Sequence, residues 1–73
     1  MKKLRERGVY ELPDGRKVVA VSNDMDGYYL YSYPPHAWVF PAYEVMASGA
    51  IYNAGRSTDW YSTDLKDAGS NQS

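Results

Sequence analysis

The chain is 73 residues long, carries a net charge of −1 and has no cysteine; 44% of it is hydrophobic and 15% aromatic. A chain of this size buries only about 60% of its unfolded surface, so it supports one small core and no second domain. Disulfide stapling is excluded, and so is an overall basic character of the kind that drives polyanion binding.

Other classes fall away on length of apolar run. No stretch approaches the ~20 residues of a membrane-spanning helix. The opening MKKLRER is not followed by an apolar run of secretory length. Together with the missing cysteine this suits a cytoplasmic setting. What remains to build a core is a large aromatic stock: eight tyrosines, Trp38, Trp60 and Phe40. The aliphatic supply is thin, so either the rings fill the interior or several of them face a partner.

Charge is unevenly placed. Residues 1–17 hold six cations (Lys2, Lys3, Arg5, Arg7, Arg16, Lys17) against three acids, a balance of +3. The remainder holds Arg56 and Lys66 against six acids, a balance of −4.

In chain order, residues 1–7 read as an irregular lead-in. Val9–Leu12 and Arg16–Val21 then flank Pro13-Asp14-Gly15 as two strands of a hairpin. Proline presets the first turn position, aspartate bonds its own backbone and glycine accepts positive φ. A three-residue bulged loop sets Glu11 opposite Lys17 and Tyr10 opposite Val18. A two-residue Asp14-Gly15 turn would shift the register by one and exchange every side chain's face. The bulged form is favoured because it pairs opposite charges and uses the proline.

Ser22–Gly27 is a second turn, followed by a strand over Tyr28–Tyr33. Tyrosines 29, 31 and 33 share one side of that strand, and Tyr28, Leu30 and Ser32 the other. Both sides are apolar enough to be covered, so periodicity leaves the orientation open. Pro34-Pro35 ends the strand. Residues 34–42 read as a proline-bracketed aromatic loop with at most a short strand at Trp38–Phe40. Tyr43–Met46 and Ala50–Asn53 form another hairpin, and Arg56–Tyr61 a last strand. Ser62–Asp67 suits a short helical turn closed by Gly69, with a tail from residue 70. The fold class is therefore all-β: five or six short antiparallel strands in a small curled sheet or barrel, with one short C-terminal helical turn.

The run Gly8-Val9-Tyr10-Glu11-Leu12-Pro13-Asp14-Gly15-Arg16, then Gly27-Tyr28-Tyr29, Tyr43-Glu44-Val45, Trp60 and Asp64-Leu65 resembles short uncharacterised bacterial β-domain proteins. The resemblance implies an SH3-like shape and names no activity.

Residues that could carry chemistry are few. Ser22-Asn23-Asp24-Met25-Asp26-Gly27 places oxygen ligands on alternate residues, but the first and twelfth positions of an EF-hand loop would be Ser22 and Tyr33, and no helices flank it. One histidine and no cysteine give no zinc set. No nucleophile elbow surrounds a serine, no phosphate loop is present, and the acids Asp59, Asp64 and Asp67 suit a surface. The chain reads as a non-enzyme that needs no cofactor or metal.

The surviving signal is aromatic. Tyr29, Tyr31, Tyr33, His36 and Trp38 are the candidate binding residues of a module that recognises a protein or peptide partner. A homodimer that covers part of this surface is also expected. The rival reading is a single-stranded nucleic acid stacked on the same rings and held by the six cations of residues 1–17.

Overall fold

The computed structural model describes residues 3–33 and 40–70. They form one curled, half-barrel antiparallel sheet of seven strands, consistent with a small SH3-like barrel. The strands are β1 (Gly8–Glu11), β2 (Lys17–Ser22), β3 (Tyr28–Ser32), β4 (Tyr43–Val45), β5 (Ala50–Asn53), β6 (Arg56–Tyr61) and β7 (Lys66–Ser70). Their order is β6-β5-β4-β3-β2-β1-β7. Strands adjacent in sequence are adjacent in space, as short connections require. The one exception is β7, which comes back beside β1 after a single 3₁₀ turn at Ser62–Asp64.

The first hairpin takes the bulged form. Tyr10 pairs with Val18 and Glu11 with Lys17. Gly15 donates its N–H to the Leu12 carbonyl at 2.8 Å, Leu12 donates to Arg16 at 2.7 Å, and Gly15 sits at φ +95°. Only glycine takes that conformation without strain. In the second hairpin, the Asn23 side-chain oxygen accepts from the N–H groups of Met25 and Gly27 at 2.8 and 3.0 Å. Ser22–Gly27 is thus a side-chain-stabilised turn. Gly27 is also where the chain passes closest to β4: a Cβ there would lie 2.1 Å from the Val45 carbonyl oxygen.

The core lies on the concave side of the sheet. Tyr10, Val18, Ala20, Leu30, Val45 and Ile51 are buried there, closed off by Leu4, Leu12, Tyr28, Tyr43 and Leu65. Trp60 is half-buried and packs against them, its ring centroid 5.9 Å from that of Tyr43. Burial resolves the orientation of β3: Tyr28 and Leu30 point inward and Tyr29 and Tyr31 outward. Tyrosine rings enter such a core only if their hydroxyls are bonded. Here Tyr10 accepts from the Arg5 N–H, and Tyr28 both accepts from the Leu4 N–H and donates to the Leu4 carbonyl. No buried side-chain polar atom among the described residues lacks a partner.

Two terminal segments differ from the sequence reading. The lead-in is not strand, yet it is pinned: Leu4 is buried, Glu6 accepts the Ser22 N–H, and Arg7 donates to the Ala20 carbonyl. The helical turn stops at Asp64, and Lys66–Ser70 form a strand instead of finishing a helix and starting a tail. Lys-Asp-Ala-Gly-Ser has little strand propensity of its own. Tertiary context overrides it: Leu65 is buried, the backbone pairs with the free side of β1, and Arg5 clamps the Asp67 carboxylate and the Gly69 carbonyl. That adds a seventh strand. Phe40 lies in a bend outside any strand; the rest of the short strand expected at Trp38–Phe40 lies outside the described residues.

Candidate binding surface and rim cleft

Of the five candidate residues, Tyr29, Tyr31 and Tyr33 are on the convex side of β3 or just beyond it. His36 and Trp38 lie outside the described residues. Tyr29 and Tyr31 are half-buried by their neighbours on that face. Register places Tyr31 beside Val19, itself beside Val9, and places Tyr29 between Val21 and Glu44, with Tyr52 next along the row. Val9 and Val19 are buried although they belong to the convex face. Tyr33 is 40% exposed, and Phe40, at the far end of the connection to β4, is 85% exposed. The interior therefore seals only Tyr10, Tyr28 and Tyr43 among the described rings. The others are partly or largely outside.

Tyr33 leads from the convex face onto the rim of the half-barrel, where an open cleft of about 390 Å³ lies. Buried Leu12, Val18 and Tyr43 and half-buried Ala42 supply its apolar lining; exposed Gly15, Arg16, Lys17, Ser32 and Tyr33 supply the rest. Backbone bonds fix two of its sides: Tyr33 donates to the Lys17 carbonyl at 3.1 Å, and Ala42 to the Leu30 carbonyl at 2.7 Å. The Arg16 guanidinium is held in place by Asp14, with Nε–Oδ2 at 2.8 Å, and by the Tyr43 hydroxyl, and lies 5.8 Å from the Tyr43 ring centroid. The backbone N–H of Arg16, then its side chain, hold the Asp14 carboxyl below its usual pKa; the Asp14 carboxylate in turn raises that of Arg16.

Of the acids named from sequence, Asp59 is exposed on β6, and the other two serve the fold. Asp67 pairs with Arg5, and Asp64 accepts the Tyr61 N–H at 2.9 Å. No group of three metal-ligating side chains comes together among the described residues. The cations of the rival reading do not gather as one strip: Arg5 is tied to Asp67 and Arg16 to Asp14, Lys17 is on the cleft, Lys3 and Arg7 are exposed, and Lys2 lies outside the described residues.

The cleft itself is the feature that reading along the chain misses. Lys17 and Tyr33 are sixteen positions apart, yet a hairpin centred on the Ser22–Gly27 turn must bring them together. The pairing of Val18 with Ser32 and Val19 with Tyr31 shows this symmetry. Tyr43 enters only through the β3–β4 register, which the intervening loop hides. No helix among the described residues is long and apolar enough to cross a membrane. No family model, curated protein or solved structure matches the chain.

Proposed function

We propose that this protein is a non-catalytic interaction module of the cytoplasm that recognises an extended protein or peptide segment through the aromatic surface ending at Tyr33. The observation that carries the reading is the alternation along β3. It turns Tyr29 and Tyr31 away from the core and leaves Tyr33 at the rim, beside an apolar-lined cleft. Partly exposed rings on a sheet face that ends at an apolar-lined cleft suit peptide recognition.

The sheet edges favour a face over strand addition. The β5–β6 register breaks between Ala50 and Tyr52, with the Thr58 hydroxyl bonded to the Ile51 carbonyl. The β7–β1 register also breaks, and Gly69 turns to φ +108°. Irregular edges of this kind resist pairing with another strand.

The test is selection of displayed random peptides on the folded protein, followed by affinity measurement on variants. Tyr61, exposed at the end of β6, is the control ring. Tyr33→Ala should weaken the selected peptides about tenfold or more, as loss of an aromatic anchor does. Tyr61→Ala should leave them unchanged, and Tyr33→Ala should melt like the parent. Failure of any peptide to enrich, or equal binding by Tyr33→Ala, overturns the reading. Tight binding of an oligothymidine that falls steeply with added salt would replace it with the nucleic-acid reading. The same surplus of outward rings leads us to expect self-association into a dimer; light scattering that shows only monomer at high concentration contradicts that.

A further inference from the structure

We infer that the rim cleft selects acidic segments: an Asp or Glu of the partner pairs with Lys17 while an adjacent apolar or aromatic residue rests against Tyr33. This rests on the peptide-binding reading above and adds the chemistry of the ligand.

Three observations carry it. First, the described lining holds two cations, Arg16 and Lys17, and no carboxylate. Second, these two cations are not equivalent. Arg16 is already committed to Asp14 and Tyr43, which orients it but engages its charge. Lys17 has no ion pair with any described residue, even though Glu11 is its cross-strand neighbour. Its ammonium, on the same outward face of the sheet as Tyr33, is the available charge at the cleft's rim. Third, the exposed Asp24 and Asp26 stand at the β2–β3 turn, the end away from Lys17, whereas at the cleft end Asp14 is taken up by Arg16 and Glu11 lies across the ladder from Lys17. Along this hairpin an acidic segment is therefore disfavoured at the turn and meets an unpaired cation only at Lys17.

The hydrogen bond from Tyr33 N–H to the Lys17 carbonyl makes the two residues cross-strand neighbours. Side chains so placed start about 5 Å apart and run side by side. A ring next to an ammonium reads an apolar residue and an acid next to each other in an extended chain.

The experiment uses peptides selected on the parent protein and their Glu→Gln or Asp→Asn counterparts, measured against the parent, Lys17→Gln and Lys17→Glu. The Gln variant is included because a glutamate at 17 would face Glu11. The expected result is a fixed acid beside an apolar residue in the selected sequences. Neutralising that acid should weaken parent binding about fivefold, the upper range for an exposed pair. It should have no effect on Lys17→Gln, and Lys17→Glu should bind the neutral peptide better than the acidic one. Selected peptides that depend on Tyr33 but lack an acid, or whose acid matters equally in Lys17→Gln, overturn the inference and leave the peptide reading standing. Absence of any enriched peptide overturns both.

Discussion

The two sides of β3 are built from nearly the same residue type and do opposite things. On the concave side, Tyr28 and Leu30 are buried, and the Tyr28 hydroxyl closes on both backbone groups of Leu4. On the convex side, Tyr29 and Tyr31 are half-covered by cross-strand neighbours, and Tyr33 emerges on the rim. A shift of one residue in register would exchange the two sets. The buried tyrosines all have bonded hydroxyls, Tyr10 and Tyr28 to backbone groups and Tyr43 to the Arg16 guanidinium. What separates the buried tyrosines of β3 from the outward ones is parity along the strand.

Breaking the concave side should cost stability and nothing else. Leu30 is 0% exposed at the centre of the core. Leu30→Ala should destabilise by about 2–5 kcal/mol, read by denaturant unfolding. A loss below that range would mean that the core collapses around the gap, or that the two sides share the load. A finer cut is Tyr28→Phe, which keeps the ring but orphans the Leu4 N–H and carbonyl; a loss of about 1–3 kcal/mol is expected. Unaltered stability would show that water serves the lead-in equally well. The smallest effect concerns Asp14 at the cleft's edge. Its carboxyl is held below its unfolded-state pKa, so its contribution is present at neutral pH and disappears as pH falls through the folded-state value. Asp14→Asn should therefore lower the neutral-pH melt slightly and converge on the parent in acid, which flattens the acid limb of the stability profile. An identical acid limb contradicts that assignment.

Sequence reading reaches the convex side as a set but not as a surface. The Pro13-Asp14-Gly15 turn carries its own geometry, so the first hairpin and its register were legible from residue types alone. So were β4 to β6, bounded by Gly49 and Gly55 at positive φ. The orientation of β3 was not legible, since Tyr-Tyr-Leu-Tyr-Ser is apolar on both sides and only packing against Ile51 and Val45 decides it. Strand β7 was invisible because its residues favour turns; an arginine sixty-two positions away holds them in place. The rim cleft joins residues from the first hairpin, the end of β3 and the start of β4. Its cations were legible as charges, but not as neighbours of Tyr33.

The outward placement of Tyr33 is the claim on which the proposed recognition surface stands. Photochemically induced nuclear polarisation enhances only tyrosine rings that a flavin dye can touch, so it reads that placement ring by ring. The expected spectrum shows enhanced Tyr33 and Tyr61 resonances, silent Tyr10, Tyr28 and Tyr43, and loss of the Tyr33 signal alone when a selected peptide saturates the protein. A Tyr33 ring that is silent without peptide, or equally bright with it, would contradict the account.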